Sequence, residues 1–403
     1  MRAGLLSLLL AASGLSAAPG TAHAASSDGG SVRDSPPTWV TRIDHLVRGR
    51  NISVVVRSGR TVLYAHRATA DRIPASNEKL LLSMALLDRL GPDATIQTSL
   101  ATETPANAGT IEGNVWIVGG GDPEVGRATM TSLADQVEAA GIVRIHGRVM
   151  GSTRNFARDW WAPGWKRDFP KDEVALPTAL TYRGNVGPSG GHIADPERRA
   201  ARYLTAQLAR RGIEVTGKPG MGRPTVRLAS VATVDSPPLG DIIRRMDVDS
   251  INFDAEVLGK LLAEDANGPP GTIAGGAAVI HRFEASHGVS FEQHDASGLS
   301  YANDVTAAGI VRMLRVADEE PWLPELRAAL PHAGQGTLAG RLSGVRIRAK
   351  TGTLDAISAL SGWVWLRRSS TWAEFSILDR GMAKVVAVRV EDAVVRTLAR
   401  HAA

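Results

Sequence analysis

The sequence predicts a mixed α/β fold of the α+β type, in which helices cover the faces of an antiparallel sheet and an inserted domain interrupts the chain. Two strand-like runs, 52–56 and 61–64, flank Ser58-Gly59-Arg60, which is typical of a β-hairpin. Apolar residues at helical spacing follow Ser76, and strand-and-turn patterns fill the last third of the chain. Between residues 96 and 239 the pattern changes to short strands, glycines and loops. These observations together predict the fold class.

The first strong helix follows Pro74-Ala75-Ser76 and ends at Gly91-Pro92. Its apolar residues recur at helical spacing: Leu80, Leu81, Met84, Leu87 and Leu90. A helix that is apolar on this much of its surface is buried. Its amino terminus would place a partial positive charge and free N–H groups beside Ser76.

Residues 96–239 are predicted to form the inserted domain. The elements predicted within it are a strand at 114–118, a helix at 130–140, a strand at 143–150 and a helix at 196–211. The insert separates Lys79 from Ser250 in the sequence, yet these two residues must meet if they share one chemistry. The sequence therefore predicts a discontinuous catalytic domain made of residues 38–95 and 240–403.

Helical patterns return after the insert and give way to strands towards the carboxyl terminus. The predicted elements are helices at 252–263, 272–287 and 306–318, strands at 345–349, 359–366 and 372–378, and a final helix from 385 onward. In the first of these strands Val345, Ile347 and Ala349 alternate with basic residues, which predicts two different faces.

The first 24 residues have the pattern of a secretory signal peptide. Arg2 gives a positive start, 5–18 is an apolar run, and Ala22-His23-Ala24 is a small-residue cleavage site. Residues 25–37 are rich in serine, glycine and proline and are predicted to be a flexible leader. We find no later apolar run long enough to cross a bilayer. We therefore expect a secreted, extracytoplasmic protein in the cell wall or the periplasmic space.

Composition narrows the chemistry further. The chain has 403 residues and no cysteine, which removes disulfides and thiol nucleophiles. Its net charge of +5 is spread out, without a dense basic block or interleaved aromatics, so we expect no nucleic-acid partner. A basic surface suits anionic wall polymers or lipid headgroups and leaves peripheral membrane association open. The ten histidines have no metal-binding spacing, and we expect neither metal nor cofactor.

Three patches far apart in the chain carry the chemistry: Ser76-Asn77-Glu78-Lys79, Ser250-Ile251-Asn252 and Lys350-Thr351-Gly352. A hydroxyl and an amine three residues apart at a helix start lie on one face. A partly desolvated lysine can take the serine proton and so create a nucleophile. In this order the patches indicate an active-site serine acyl-transfer centre. Taken alone, each of the first two patches could be explained by a serine that caps a helix, and the third by a turn that ends a strand.

Each predicted site residue has an expected role. Ser250 would relay a proton between the leaving amine and Lys79, while Asn252 would hold a substrate amide and fix Lys79. Lys350 would offer positive charge to a substrate carboxylate, and the backbone N–H groups of Ser76 and Thr353 would form the oxyanion hole. The candidate catalytic residues are Ser76, Lys79 and Ser250, and the candidate substrate-binding residues are Asn252, Lys350, Thr351, Gly352 and Thr353.

With these residues the chain resembles the low-molecular-mass class C penicillin-binding proteins, the D-alanyl-D-alanine carboxypeptidase/endopeptidase family. The resemblance covers nearly the whole mature chain. The matching stretches are Pro74 to Leu81, Gly119-Gly120-Gly121-Asp122-Pro123, Asp295-Ala296-Ser297-Gly298-Leu299-Ser300, Gly336-Thr337-Leu338 with Arg341, and Lys350-Thr351-Gly352-Thr353-Leu354. It implies a penicillin-binding transpeptidase/β-lactamase-like core.

The resemblance also implies an activity and partners. The expected enzyme is a serine D,D-peptidase that removes the terminal D-alanine of peptidoglycan stem peptides or cuts their cross-links through an acyl-enzyme on Ser76, with β-lactam antibiotics as inhibitors. Lys79 would be the acylation base. Two alternatives remain at this point: a serine β-lactamase, disfavoured by the long insert between the first two motifs, and a non-catalytic wall-binding relative, disfavoured by the intact motif residues.

Overall fold

The structure is a computed structural model that describes residues 37–401. The predicted signal peptide and all of the predicted leader except Pro37 lie outside the described residues. From Thr38 onward the chain forms one compact unit. Within the described part of the chain, no helix is both long enough and apolar enough to cross a membrane.

The described chain contains both helices and strands. The helices are α1 (Thr38–Val47), α2 (Glu78–Leu90), α3 (Arg127–Ala139), α4 (Phe169–Asp172), α5 (Pro196–Arg210), α6 (Leu239–Asp249), α7 (Asn252–Asn267), α8 (Ile273–Ser286), α9 (Ala307–Ala317), α10 (Leu323–Ala329) and α11 (Lys384–His401). The strands are β1 (Ile52–Ser58), β2 (Thr61–His66), β3 (Asp71–Arg72), β4 (Gln97–Thr102), β5 (Thr110–Glu112), β6 (Val115–Gly119), β7 (Arg144–His146), β8 (Val149–Ser152), β9 (Glu214–Val215), β10 (Gly220–Gly222), β11 (Ala229–Asp235), β12 (Val305–Thr306), β13 (Ile347–Leu354), β14 (Ile357–Leu366) and β15 (Thr371–Arg380).

The main sheet is antiparallel and has the strand order β13-β14-β15-β1-β2. The predicted hairpin β1–β2 thus pairs with the last strands of the chain, nearly the full chain length away. One hydrophobic cluster combines α2, α6, α7, α8 and α9 with residues of this sheet, and a second combines α1 and α11 with other sheet residues. The predicted arrangement of helices on both faces of an antiparallel sheet is confirmed.

Helix α2 lies within the first of these clusters, and every residue from Glu78 to Leu87 is buried. Burial of each leucine contributes about 1.5–3 kcal/mol relative to an exposed side chain. The helix ends as predicted at Gly91, whose φ of 79° favours glycine and whose N–H donates to the carbonyl of Leu87 at 3.0 Å. Ser76 itself lies just before the α-helix, in a 3₁₀ turn over Ala75–Asn77.

Residues 96–239 contain a sheet of their own, with the order β10-β8-β6-β4-β11. Strands β6, β8 and β10 are parallel, and β4 runs antiparallel to β6 and β11. A separate hydrophobic cluster, drawn entirely from residues 100–234, packs α3 and α5 against this sheet. The predicted helices at 130–140 and 196–211 correspond to α3 and α5.

The prediction of one strand over 143–150 is wrong. The chain forms β7 in the small sheet β5-β7-β9 and then β8 in the larger sheet. Between them Gly147 crosses so close to Gly113 that a Cβ at Gly147 would lie 2.0 Å from the carbonyl oxygen of Gly113. Only glycine permits this crossing, so the strand pattern is broken there.

Part of the segment 96–239 packs away from that sheet. Phe156, Ala175 and Ala179 form a small cluster with Phe253 and Val257 of α7. A neighbouring cluster joins further residues of the same segment to the start of α8 and to the loop after it: Ala162, Trp165, Phe169, Val174, Ile273 and Leu299. Residues 156–179 therefore lie against the catalytic part of the fold. The division at 96 and 239 stays a prediction.

Candidate active site

The candidate nucleophile lies on a turn that other loops approach very closely. Ala75 has a φ of 47°, which is unusual for a residue with a side chain. A Cβ at Gly298 would lie 1.9 Å from the carbonyl oxygen of Ala75, and one at Gly352 would lie 2.8 Å from that of Pro74. Both glycines are therefore required by the protein's own packing around Ser76. Gly352 is also one of the predicted substrate-binding residues.

Lys79 is fully buried one helical turn after Ser76. Its ammonium nitrogen Nζ lies 3.2 Å from Ser76 Oγ, 2.8 Å from Asn252 Oδ1 and 2.6 Å from the carbonyl oxygen of Ser297. Burial lowers the pKa of Lys79 to about 8, although nearby carboxylates oppose this shift. A substantial fraction of Lys79 is therefore neutral at mildly alkaline pH.

The three contacts of Lys79 fit either protonation state. An ammonium group donates three hydrogen bonds, whereas a neutral amine donates two and offers one lone pair. The two short contacts, to Asn252 and to the Ser297 carbonyl, end on oxygens that only accept. The longest contact ends on Ser76 Oγ, a hydroxyl that can also donate. When Lys79 is neutral, its lone pair is therefore directed at the serine proton.

Ser250 and Lys350 form the second pair. Ser250 ends α6 in the left-handed conformation, with φ 58° and ψ 46°. Lys350 is fully buried in β13, and its Nζ donates to Ser250 Oγ at 2.8 Å and to the carbonyl of Thr351 at 3.1 Å. Burial lowers the pKa of Lys350, and the charge of Lys79 lowers it further. The structure thus pairs Ser250 with Lys350, whereas the sequence-based role paired it with Lys79.

Asn252 connects the second patch to the first. As the opening residue of α7, it lies just after the tight turn at Ser250 and accepts the hydrogen bond from Lys79. Its Nδ2 points to the other side, 3.5 Å from the side chain and from the carbonyl of Glu173. A long contact of this kind leaves the amide available to a ligand.

A cleft of about 380 Å³ opens in front of Ser76. Of the predicted residues, Ser76, Asn252 and Thr353 line it, and its other walls are formed by Lys166, Phe169, Glu173, Leu299, Tyr301, Leu354, Asp355, Ala356 and Lys384. Thr351 is nearly buried and pairs with Leu360 of β14. The structure therefore brings all three patches together, with Lys79 and Lys350 buried behind the cleft and Ser250 only partly buried.

Several groups at the site carry no motif signal in the sequence. Asp247 is fully buried on α6, accepts from Ser83 Oγ at 2.8 Å, and acts electrostatically on both buried lysines. Lys384 opens α11, lies at the cleft and donates to Ser358 Oγ at 3.0 Å. Glu173 comes from the segment 156–179. Of these three residues, only Asp247 could have been suspected from the sequence, because it lies three residues before Ser250.

The loop that supplies the Ser297 carbonyl is folded around one carboxylate. Asp295 is fully buried and accepts hydrogen bonds from the N–H groups of Gly298 and Ser300 at 3.0 and 2.8 Å. Trp165 Nε1 also donates to it, at 2.7 Å. Because every bond to Asp295 fixes part of the loop, the Ser297 carbonyl is held in place beside Lys79.

Buried acids lie behind the nucleophile helix. Glu78, Glu256 and Glu284 are all fully or almost fully buried. Burial, followed by repulsion from Glu284 and other carboxylates, raises the pKa of Glu78 well above its usual value. Burial also raises the pKa of Glu256 to about 7 and that of Glu284 to about 8. Among residues 37–401, no group of acids and histidines is arranged to hold a metal ion.

The chain has known relatives in sequence. The sequence profile of the D-Ala-D-Ala carboxypeptidase 3 (S13) family matches residues 43–187 and 176–401. A D-alanyl-D-alanine carboxypeptidase of Actinomadura sp. is 26% identical over 89% of this chain and 83% of its own length. Carboxypeptidase DacB of Mycolicibacterium smegmatis is 31% identical over 75% of this chain and 70% of its own length.

The fold has a known counterpart as well. The crystal structure of penicillin-binding protein 4 (dacB) from Haemophilus influenzae superposes with a TM-score of 0.80 at 19% identity, covering 90% of this chain and 99% of that one. The same protein has also been solved complexed with a β-lactam. The predicted family and fold class are confirmed. The chain belongs to the D-Ala-D-Ala carboxypeptidase 3 (S13) family of serine peptidases, within the low-molecular-mass class C penicillin-binding proteins.

Proposed function

We propose that this protein is an exported serine D,D-peptidase that removes the terminal D-alanine from peptidoglycan stem peptides, or cleaves D-alanyl cross-links, through an acyl-enzyme on Ser76. The observation that carries the proposal is the environment of Lys79. Two fixed acceptors occupy two of its hydrogens, and the remaining position faces Ser76 Oγ at 3.2 Å. A general base within hydrogen-bond reach of the nucleophile is what acylation requires.

Acylation begins when Ser76 Oγ attacks the carbonyl carbon of the penultimate D-alanine. The serine proton passes to neutral Lys79, and the resulting ammonium is stabilised by Asn252 Oδ1 and the Ser297 carbonyl. The N–H groups of Ser76 and Thr353, both at the cleft, donate to the developing oxyanion. The peptide C–N bond then breaks.

The leaving amine needs a proton, and Ser250 is the proposed relay. Its oxygen accepts from Lys350 Nζ, so its own hydroxyl hydrogen is free to go to the leaving nitrogen. The proton that Lys79 took from Ser76 is passed to Ser250 Oγ, so Ser250 is again a hydroxyl and Lys79 again a neutral amine, while Lys350 keeps its charge. A water molecule then attacks the ester carbonyl of the acyl-enzyme, with Lys79 again as base, and releases the shortened peptide.

Substrate binding uses the residues around the cleft. Asn252 Nδ2 donates to an amide carbonyl of the stem peptide, and the Thr353 hydroxyl donates to its terminal carboxylate. Lys350 sets the positive potential at this edge of β13 from behind, and Gly352 lets the strand approach the nucleophile turn. β-Lactams would acylate Ser76 in the same way and act as inhibitors. The β-lactam complex of the H. influenzae protein supports this expectation.

Export through a signal peptide at residues 1–24, with activity in the cell wall or periplasmic space, is part of the same proposal. It rests on the sequence pattern of the first 24 residues and on the wall substrate of the proposed reaction. Amino-terminal sequencing of the protein recovered from outside the cytoplasm tests it. A mature chain that begins at Ala25 is expected, and a chain that retains residue 2 outside the cell contradicts it.

One experiment tests the activity. The purified protein is incubated with a fluorescent penicillin, and the lifetime of the adduct is followed by mass spectrometry. A long-lived adduct on Ser76, together with release of D-alanine from a muramyl pentapeptide that disappears in Ser76→Ala, is expected. Rapid release of hydrolysed penicillin would instead identify a β-lactamase, and absence of any adduct would identify a non-catalytic relative.

A further inference from the structure

A groove lined by three arginines lies in the segment 96–239, outside the candidate active site. Its volume is about 520 Å³, and its lining residues are Arg154, Arg223, Pro224, Thr225, Val226 and Arg227. We call it the arginine groove. None of its three guanidinium groups has a carboxylate or carbonyl partner among the described residues. No acidic residue lines the groove.

The strand order explains why these arginines converge. Strands β8 and β10 are parallel, with Ser152 opposite Gly222, so the residues that follow both strands emerge side by side. The N–H of Thr153 donates to the carbonyl of Gly222 at 2.8 Å, which extends this pairing by one residue. Arg154 and Arg223 therefore leave the sheet at the same point. The carboxyl ends of parallel strands are a common place for ligand binding.

The segment that carries Arg223 and Arg227 is short for the distance that it spans. It joins β10 at one edge of the five-stranded sheet to β11 at the opposite edge. Four strand spacings are roughly 19 Å, whereas the seven residue steps from Gly222 to Ala229 reach at most about 25 Å. A connection stretched to this extent cannot fold back on itself. The backbone at Arg223 and Arg227 is thus restricted before any ligand binds, which reduces the entropy cost of binding.

Other arginines of residues 96–239 have carboxylate partners, unlike the three arginines of the groove. Arg144 pairs with Glu214, Arg158 with Glu197 and Arg211 with Asp135. At the arginine groove like charges are gathered instead, without a counter-charge. Such an arrangement is unfavourable by itself and becomes favourable when an anion occupies it. Guanidinium groups bind phosphate and carboxylate oxygens with two parallel hydrogen bonds each.

We propose that the arginine groove binds a polyanionic wall polymer whose repeating units carry phosphate or carboxylate oxyanions. The groove is open, and its arginines are exposed, which suits a chain that passes along the surface better than an enclosed small molecule. Val226, 48% exposed, gives the uncharged part of each repeat an apolar contact. The location of such a polymer in the wall rests on the proposed function, but the recognition chemistry does not.

Binding is tested with the full-length mature protein and two soluble probes, fluorescent poly(glycerol phosphate) and fluorescent polygalacturonate, by anisotropy at low salt. Removal of all three charges in R154Q/R223Q/R227Q is expected to weaken binding of at least one polymer by roughly 1000-fold, since each charge-assisted hydrogen-bonding group contributes about tenfold. The probe that binds identifies phosphate or carboxylate as the preferred oxyanion. The matched control is R48Q/R60Q/R368Q, which changes net charge equally at exposed arginines elsewhere.

Equal weakening in both triple variants would show only a general charge effect and would overturn the proposal. Binding of neither polymer, with arginine-dependent binding of phosphatidylglycerol vesicles, would overturn it in favour of a membrane surface. Ser76→Ala is expected to bind the polymer as the wild type does. Hydrolysis of a small soluble pentapeptide is expected to be unchanged in R154Q/R223Q/R227Q, so failure of the polymer proposal and failure of the peptidase proposal give different results.

Discussion

At the residue scale, the site depends on two buried lysines, Lys79 and Lys350, and the carboxylate of Asp247 acts on both of them. Lys79 and Lys350 are both fully buried, and desolvation lowers the pKa of each. A base is useful only in its neutral form, and a lysine in water near neutral pH is almost entirely protonated. Burial therefore converts Lys79 into a base, whereas the nearby carboxylates limit how far its pKa falls.

Lys79→Met removes the proposed base while keeping the side chain long and apolar. We expect penicillin acylation of Ser76 to slow by about 10²–10⁴-fold, which is the usual range for loss of a general base. In the wild type the second-order acylation rate should rise with pH through about 8, as Lys79 loses its proton. Stopped-flow fluorescence from pH 6 to 10 measures both. An unchanged acylation rate in Lys79→Met would show that another group is the base.

Asp247→Asn tests whether the buried carboxylate on α6 sets the pKa of Lys79. The negative charges that raise this pKa belong to Asp295, Asp247, Glu256 and Glu78. Removing one of them should lower the pKa of Lys79, so the limb on which the acylation rate rises with pH should move to lower pH. The exposed Asp249, two residues away, gives the control Asp249→Asn, which should leave the profile unchanged. A purely structural role of Asp247 would lower the amount of active enzyme without moving the limb.

At the scale of secondary-structure elements, the interfaces between α2, α7 and α8 contain buried acids. Glu78 of α2 has no hydrogen-bond partner for either carboxyl oxygen within the described part of the chain. Its raised pKa, and those of Glu256 and Glu284, keep much of this cluster protonated near neutral pH. Protonated carboxyls avoid the large cost of buried charge, and this makes the packing of α2 sensitive to pH.

Glu284→Gln should reduce the pH dependence of stability. The pKa of Glu284 is about 8 in the folded protein, where the side chain is buried, and 4.5 when the side chain is exposed in the unfolded chain. As pH rises, the unfolded chain therefore loses this proton first. The free energy of unfolding should therefore fall from pH 5 to pH 8, by up to about 1.4 kcal/mol per pH unit for this group. In Glu284→Gln this slope should decrease, as measured by urea unfolding at several pH values.

The control for this experiment is Glu325→Gln, which removes an exposed carboxyl on α10. Its slope should equal that of the wild type. If Glu284→Gln has the wild-type slope too, Glu284 is ionised in the folded protein and its buried charge must be compensated by another group.

At the scale of the whole molecule, the segment 156–179 packs against α7, the start of α8 and the loop after it, and forms one wall of the cleft. Lys260 of α7 is fully buried and fixes this segment by donating to the carbonyl oxygens of Ala157, Asp159 and Pro177 at 3.1, 2.9 and 3.0 Å. Its Nζ also lies 2.6 Å from the carboxylate of Asp159. Glu173 at the cleft belongs to the same segment.

Lys260→Met should therefore affect both stability and substrate binding. Loss of one partner of a buried ion pair usually costs about 3–5 kcal/mol, and three carbonyls would lose their donor as well. We expect a lower urea midpoint and a higher KM for a muramyl pentapeptide, with a smaller change in kcat because Ser76 and Lys79 are untouched. Lys218→Met, at an exposed position, is the control. An unchanged KM would show that the segment is held without Lys260.

The sequence by itself determined the fold class, most element positions and the family. Helix periodicity after Ser76, the β1–β2 hairpin and the order of the three patches are local patterns, and local patterns follow directly from side-chain spacing. They also identified Ser76, Lys79, Ser250, Asn252 and Lys350 as one chemical centre. The strand prediction over 143–150 was wrong because the break at Gly147 depends on Gly113, which approaches from elsewhere in the chain.

Only the tertiary structure decided how these groups are paired and charged. The contact of Ser250 with Lys350, the part played by Asp247 and the position of Glu173 at the cleft each join residues that are far apart in the sequence or carry no motif. The pKa of a lysine depends on burial and on every nearby charge, and neither can be obtained from residue spacing. The arginine groove has the same origin, because parallel pairing of β8 and β10 brings Arg154 and Arg223 together.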